Sequence, residues 1–227
     1  MDNSSLLLGI QALEGKELLD GRRVLLCFGS RSLLSLFRSS AIGSSVVATA
    51  SDQASALALL QSQRANLLIC TDGLTEGSGI SLLEQAHGRF TGLLSLLIAE
   101  QEHPDQLHRA IQAGCHGICV GSRVGQGTLL QALCVVCDGG TYIDARVSEV
   151  LRQREDPAHG RHHQRLTTRE LQVLEQVVNG HSNAQIGIRL HLSTDTVKSY
   201  LKTIYQKLEA RDRTHAAVIA LRNGLVP

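Results

Sequence analysis

Residues 182–208 read SNAQIGIRLHLSTDTVKSYLKTIYQKL, and this stretch decides the fold of the C-terminal part of the chain. Its first four residues, from Ser182 to the Gln three positions on, match a capping box, which predicts that a helix begins here. A tight turn is expected at His191, after which Ser193 caps a longer helix predicted over residues 194–208. The stretch therefore predicts a short helix, a tight turn and a longer helix.

The longer helix has two chemically different faces. Apolar residues recur at helical spacing and form a stripe that we expect to face a core: Val197, Leu201, Ile204, Tyr205 and Leu208. The opposite face is polar and basic: Asp195, Lys198, Ser199 and Lys202, with Lys207 a turn later. The DNA major groove admits one helix, and lysine donates to guanine O6 and N7 or to phosphates. The same pattern also fits a helical bundle with a solvated lysine face, so the pattern alone leaves both interpretations open.

The residues on either side of this stretch also predict helices. Thr167 and Glu170 form a second capping box, opening a helix that ends at Gly180. A last helix is predicted over residues 214–223. Residues 166–227 are therefore expected to fold as an all-α, four-helix domain that contains a helix-turn-helix.

Charge is divided unevenly along the chain. Residues 1–160 contain 12 Lys and Arg against 16 Asp and Glu, whereas residues 161–227 contain 10 against 5. A basic C-terminal part behind an acidic N-terminal part indicates that only the C-terminal part meets a polyanion.

At ungapped spacing, residues 166–225 resemble the LuxR-type helix-turn-helix domain. The matching positions are Leu166-Thr167, Arg169-Glu170, Leu174, Gly180, Ser182-Asn183, Ile186, Leu190, Ser193, Thr196-Val197-Lys198, Ile204, Lys207-Leu208 and Arg213. Gly187 stands where the family usually has Ala, which costs some helix propensity. The resemblance implies a bacterial transcription regulator that binds double-stranded DNA.

The same resemblance implies two groups of DNA-contacting side chains. The first group faces base edges: Lys198, Ser199 and Lys202. The second group makes phosphate or framework contacts through Thr168, Thr196 and Tyr200, and phosphate contacts through Arg211 and Arg213. For Arg213 a structural role fits equally well. Because one such helix covers one half-site, we expect a homodimer on DNA.

The front part of the chain alternates between apolar runs and helical patterns. Five runs are predicted strands: residues 23–28, 46–50, 67–70, 93–98 and 117–120. Continuous apolar strands that alternate with helices predict a parallel sheet covered on both faces. The fold class expected is therefore an α/β, flavodoxin-like domain with a five-stranded parallel sheet, whose functional site lies at the carboxyl ends of the strands.

These patterns divide the chain into four parts: residues 1–21, a helical extension; 22–150, the α/β domain; 151–165, a linker; and 166–227, the DNA-binding domain. The extension has the spacing of an amphipathic helix, which suits either a helix docked on its own domain or a dimerisation or partner-binding helix. The linker is polar, and its three histidines suit a solvated segment or a metal site. They are His159, His162 and His163.

Next to such a DNA-binding domain, residues 22–145 resemble the receiver domain of NarL/FixJ response regulators, most clearly at residues 110–117 and 139–143. A working receiver holds Mg²⁺ with two acids after the first strand and phosphorylates an Asp at the end of the third. A Thr or Ser follows the fourth strand and a Lys the fifth, because the transferring phosphoryl group needs its charge neutralised.

This chain lacks nearly all of those groups. The two acid positions hold Phe28 and Gly29, the acceptor position holds Thr71, and the Lys position holds Gly121. The Thr or Ser position falls near Ile98 or Ala99. We therefore expect a degenerate receiver that works without phosphorylation, through dimerisation, a partner protein or a small ligand. Asp72 lies one residue from the acceptor position, so the alternative is a conventional phosphorylated regulator that uses Asp72.

Six cysteines lie in the front part: Cys27, Cys70, Cys115, Cys119, Cys134 and Cys137. Cysteine is a common core residue, and the run that holds the last two is apolar. A Cys-x-x-Cys pair is also used for redox chemistry or zinc, so a thiol redox-sensing regulator is a second alternative.

Taken together, these observations predict a sequence-specific DNA-binding transcription regulator with an atypical receiver. We expect no enzymatic activity, cofactor or resident metal, no membrane contact and a cytoplasmic location. An interaction protein whose helix-turn-helix no longer binds DNA would carry acids on the outward face of the longer helix, and the lysines there argue against it.

Overall fold

The computed structural model describes residues 18–152 and 166–226. The predicted N-terminal helix lies almost wholly outside these ranges, as do the three linker histidines. No helix within the two ranges is both long enough and apolar enough to cross a membrane.

The sheet of the front domain is parallel throughout and has the strand order β2-β1-β3-β4-β5-β6. Its strands are β1 (Val24–Cys27), β2 (Val46–Ala50), β3 (Leu67–Thr71), β4 (Leu94–Ala99), β5 (Gly117–Val120) and β6 (Tyr142–Ile143). The five predicted strands are confirmed, but the count of five is corrected to six. The sixth strand has only two residues, which pair with Gly117 and Ile118 of β5. A strand of two residues is too short to give a recognisable pattern in the sequence.

Helices cover both faces of this sheet, as the continuous apolar strands predict. They are α1 (Arg31–Ser39), α2 (Gln53–Ser62), α3 (Gly79–Arg89), α4 (Pro104–Gln112), α5 (Thr128–Cys137) and α6 (Ala145–Arg152). One apolar cluster joins the sheet to α2, α3, α4 and α6. A second cluster joins its other face to α1 and α5. The first two residues of the predicted linker belong to α6.

The C-terminal domain consists of four helices, as predicted: α7 (Thr168–Val178), α8 (Asn183–Leu190), α9 (Thr194–Lys207) and α10 (Arg213–Arg222). Both predicted capping boxes are present, at the starts of α7 and α8. The predicted start of the last helix is corrected by one residue. Asp212 caps α10, because its carboxylate accepts the backbone N–H of His215 at 2.8 Å.

The helical domain packs against the front domain through α10, which contacts α4 and α6. Val218 of α10 is 1% exposed and belongs to the same apolar cluster as Leu107 and Val147 of the front domain. At another point the backbones of the two domains also meet, since a β-carbon on Gly140 would overlap the carbonyl oxygen of Gly180. The two domains therefore share one region of core.

A polar cluster of one buried serine and two half-buried histidines lies near the same boundary. The hydroxyl of Ser95 in β4 lies 2.8 Å from Nε2 of His87 and 3.3 Å from Nδ1 of His116. The two imidazole rings stack with their centroids 5.3 Å apart. One hydroxyl can donate to one ring and accept from the other, which suits two neutral rings. Burial lowers the pKa of both histidines, and lowers that of His116 to about 4.

Candidate nucleic-acid interface

The turn between α8 and α9 sets the direction of α9. His191 adopts the left-handed conformation at the end of α8, with φ of 55°. The N–H of Leu192 then donates to the carbonyl of Gly187 at 2.8 Å. A β-carbon on Gly187 would lie 2.7 Å from the carbonyl oxygen of Leu192, closer than real β-carbons approach. The missing methyl group at this position therefore allows the close turn.

Helix α9 presents the two faces that its sequence predicts. Val197, Leu201 and Ile204 are buried in the core of the helical domain. The side chain of Ser193 caps the helix by accepting the N–H of Thr196 at 3.1 Å. Because one face of α9 packs into the core, the opposite face of the helix lies in solvent.

The three side chains predicted to face base edges lie together on that exposed face. Lys198, Ser199 and Lys202 are all exposed. Both lysines line an open cleft beside α9, together with Asn183 and Gln206. Ammonium, hydroxyl and amide groups thus stand on one surface, and each can donate a hydrogen bond to DNA.

The predicted phosphate or framework residues occupy several environments. Thr168 is exposed at the first position of α7, whereas Tyr200 is half-buried against the domain core. The hydroxyl of Thr196 lies 2.8 Å from that of Ser193, so it takes part in the cap of α9. These positions place a hydroxyl at the start of two helices, where free N–H groups also point outward.

The two arginines of this group differ clearly. Arg211 is exposed in the loop before α10. Arg213 is half-buried, and its guanidinium donates to Asn183 Oδ1 at 3.1 Å and to the carbonyl of His181. Its hydrogen bonds join the start of α10 to the segment before α8, which favours the framework role for Arg213 over a phosphate contact.

Lys207 is not part of the exposed basic face, which corrects the prediction made from its spacing. Its ammonium lies 2.8 Å from the buried carboxylate of Glu170, and its side chain is only 20% exposed. Glu170 also accepts the N–H of Thr167 at 2.6 Å as part of the capping box. Lys207 therefore stabilises the contact between α7 and α9, a pairing that sequence spacing does not reveal across 37 residues.

At the carboxyl edge of the sheet, the loop after β3 closes the space where a receiver would hold its acids. The N–H of Gly29 donates to the Gly73 carbonyl at 3.2 Å, and the hydroxyl of Thr71 donates to the same oxygen at 2.8 Å. A β-carbon on Gly29 would lie 2.7 Å from that oxygen. Phe28, at the other acid position, is buried edge-on against Phe37. An acid at position 29 would therefore require the loop to move.

The carboxylate of Asp72 accepts three backbone hydrogen bonds. Its Oδ1 accepts the N–H groups of Gly73 at 3.1 Å and Glu100 at 2.9 Å, and its Oδ2 accepts that of Gln101 at 3.1 Å. The residue is only 8% exposed. The basic position after β5 is Gly121, whose β-carbon would touch the Ala99 carbonyl at 3.3 Å. Asp72 thus ties the loop after β4 to β3, and no lysine stands beside it at position 121.

The cysteines are mostly core residues. Cys27, Cys70, Cys115 and Cys119 are buried, Cys137 is half-buried and Cys134 is exposed. Burial raises the pKa of Cys27 and Cys119 to about 12, which disfavours their reactive thiolate forms. Within the described ranges, no three His, Cys, Asp or Glu side chains are grouped to hold a metal ion.

The fold and the exposed face of α9 define a class of protein, in which a receiver-type α/β domain carries a helix-turn-helix domain. Residues 164–220 match the family described as bacterial regulatory proteins, luxR family. The DNA-binding transcriptional activator DevR/DosR of Mycobacterium tuberculosis is 30% identical over 182 residues, which cover 77% of this chain and 81% of that protein. The nitrate/nitrite response regulator NarP of Escherichia coli is 29% identical over 186 residues, covering 79% and 84%. The chain belongs to the LuxR family of DNA-binding response regulators.

Solved structures support the same fold. The RcsB response regulator of Salmonella typhimurium, in a study of its conformational dynamism for DNA interaction, matches with a TM-score of 0.54 at 23% identity, covering 90% of this chain and 97% of that one. A complex of the two-component response regulator RcsB with DNA matches with a TM-score of 0.53 at 20% identity, covering 88% and 98%.

Proposed function

We propose that this protein is a sequence-specific, dimeric transcription regulator of double-stranded DNA, acting in the cytoplasm and without enzymatic activity. The observation that carries the proposal is the exposed face of α9, where Lys198, Ser199 and Lys202 are open to solvent while the opposite face is packed into the core. DNA binding by RcsB and the activator role of DevR/DosR support it by family.

The exposed face has the chemistry for both parts of DNA recognition. Lysine ammonium groups neutralise phosphates and donate to guanine O6 and N7, and a serine hydroxyl donates to or accepts from base edges. Each subunit reads one half-site with one helix, so two copies are needed to read a full operator.

We further propose that the receiver-like domain works without phosphorylation. The support is chemical: neither acid position carries a carboxylate, the lysine position is a glycine, and Asp72, the acid next to the acceptor position, is held by three backbone N–H groups. A phosphoryl group on Asp72 would have to displace those hydrogen bonds and would meet no lysine at position 121. The input then reaches this domain through a protein partner, a ligand or a second copy.

Mobility-shift titration at fixed salt tests the DNA-binding surface, with a promoter fragment taken from sites mapped across the genome. Lys198→Ala and Lys202→Ala should each weaken binding by roughly 5–10-fold, because each removes a donor to DNA. Arg89→Ala removes an exposed positive charge from α3 of the front domain and serves as the matched control. Unchanged affinity in both lysine variants, with folding intact, would rule out this surface.

Phosphorylation is tested separately, by incubation with acetyl phosphate and Mg²⁺ followed by intact-mass measurement. We expect no mass increase and no change in DNA affinity. The gain of one phosphoryl group, mapped to Asp72, would instead establish the conventional phosphorylated regulator.

A further inference from the structure

An acid stands within the proposed DNA-reading face. Asp195 is the second residue of α9, and its side chain is 90% exposed. Its Oδ1 lies 3.0 Å from the ammonium of Lys198, and its backbone carbonyl accepts the hydroxyl of Ser199 at 3.0 Å. The acid therefore contacts two of the three residues assigned to base edges.

Helix stabilisation explains only part of why an acid occurs at position 195. A carboxylate in the first turn stabilises a helix through its dipole by about 0.3–1 kcal/mol. The cap N–H of Thr196, however, is already taken by Ser193, and the Asp195 carboxylate turns along the helix toward Lys198. On a surface that meets phosphates, a negative charge lowers affinity for DNA of any sequence. We therefore looked for a group on DNA that could donate a hydrogen bond to the Asp195 carboxylate.

The major groove offers such a group at C·G pairs. Cytosine presents the N4 amino donor there, next to the O6 and N7 acceptors of its paired guanine. Adenine also has an amino donor, but an A·T pair gives the ammonium a single acceptor on either side of that donor, adenine N7 or thymine O4, whereas the guanine of a C·G pair places O6 and N7 together. With their charged atoms 3.0 Å apart, Asp195 and Lys198 offer an acceptor and a donor side by side. This arrangement is complementary to the donor and acceptors of one C·G pair.

We propose that Asp195 is a specificity-determining residue that, together with Lys198, selects a C·G base pair in each half-site and reduces binding to DNA that lacks it. This inference rests on the proposed function, since it assigns a base preference to the same surface.

Selection from a randomised duplex library, using the full-length protein at fixed salt, tests this assignment. Asp195→Asn removes the negative charge with almost no change in shape. Glu209→Gln is the matched control, because it removes one negative charge from an exposed residue just beyond the other end of α9. Both variants should bind non-cognate DNA more tightly than the wild type, because each loses one repulsion.

Only Asp195→Asn should change the base preference. We expect the wild type to prefer C·G over T·A at one position of each half-site by about tenfold, and the Asn variant to lose this preference in favour of A·T, because an amide pairs with adenine N6 and N7. Identical selected sites for the wild type and Asp195→Asn would overturn the assignment while leaving the proposed function standing.

Two further outcomes of this experiment have different meanings. If the wild type selects no sequence at all, the proposed function fails, and the assignment fails with it. If Asp195→Asn loses helical content, Asp195→Ser supplies the same test, because serine also lacks the charge and has a helix propensity close to that of aspartate. A serine variant that keeps the wild-type C·G preference would also overturn the assignment.

Discussion

Replacement of Asp72 by alanine tests whether this carboxylate is a structural anchor or a phosphate acceptor. Asp72 is 8% exposed and holds the two residues after β4 through the N–H groups of Glu100 and Gln101, 28 and 29 residues away. Asp72→Ala removes both acceptors at once. In a receiver that uses this residue for chemistry alone, the same change would leave folding nearly untouched.

The size of the effect follows from the lost hydrogen bonds. A hydrogen bond to a charged group contributes about 1.5–3 kcal/mol. Two such bonds would give roughly 3–6 kcal/mol, but Glu100 and Gln101 are exposed residues, and water replaces part of what is lost. We therefore expect the free energy of unfolding to fall by about 2–4 kcal/mol.

Urea unfolding followed by circular dichroism measures this loss. Glu76→Ala is the control, because Glu76 is an exposed acid in the same loop, and its removal should change the free energy of unfolding by less than about 0.5 kcal/mol. At urea concentrations where Asp72→Ala stays folded, its DNA affinity should equal that of the wild type. Equal stability of Asp72→Ala and Glu76→Ala would refute the anchoring role.

Two other predictions concern the boundary between the domains. Because burial lowers the pKa of His116 to about 4, its neutral ring contributes stability that is complete above pH 6.5 and is lost as the pH falls toward 4; for this half-buried group the loss is about 2–3 kcal/mol. His116→Gln should remove that part of the pH dependence in urea unfolding at pH 7 and pH 4.5, and an unchanged pH dependence would contradict the assignment. Gly140→Ala should lower the free energy of unfolding by about 1–3 kcal/mol, because the new methyl group meets the Gly180 carbonyl. Gly88→Ala, with open space at its β-carbon, is the matched control, and equal thermal stability of the two alanine variants would argue against a close contact at Gly140.

Features that arise from neighbouring residues were the ones that sequence predicted well. The capping boxes at Thr167 and Ser182 act within four residues, so the starts of two helices could be read directly. The apolar stripe of α9 has a fixed helical spacing, so its exposed face followed as well. Long apolar runs likewise predicted five of the six strands.

Features that depend on distant residues could not be predicted in this way. The partner of Lys207 lies 37 residues away on α7, and the residues that Asp72 anchors lie beyond β4. The missing acids at positions 28 and 29 were evident from sequence, whereas the loop that fills their place was not. The contact between Asp195 and Lys198 is local, at three residues' spacing, and an i, i+3 acid–lysine search would have found it.

The burial of Val218 between α4 and α6 bears on how freely this protein can be taken apart. A chain cut between residues 152 and 166 would leave that valine facing water on the DNA-binding fragment and would uncover the apolar side chains against which it packs. A hybrid regulator made by joining this helix-turn-helix to a foreign receiver would inherit the same mismatch unless the facing surfaces of α4, α6 and α10 were exchanged together. The unit of exchange in this protein is thus larger than either domain, although the sequence predicts two modules joined by a linker.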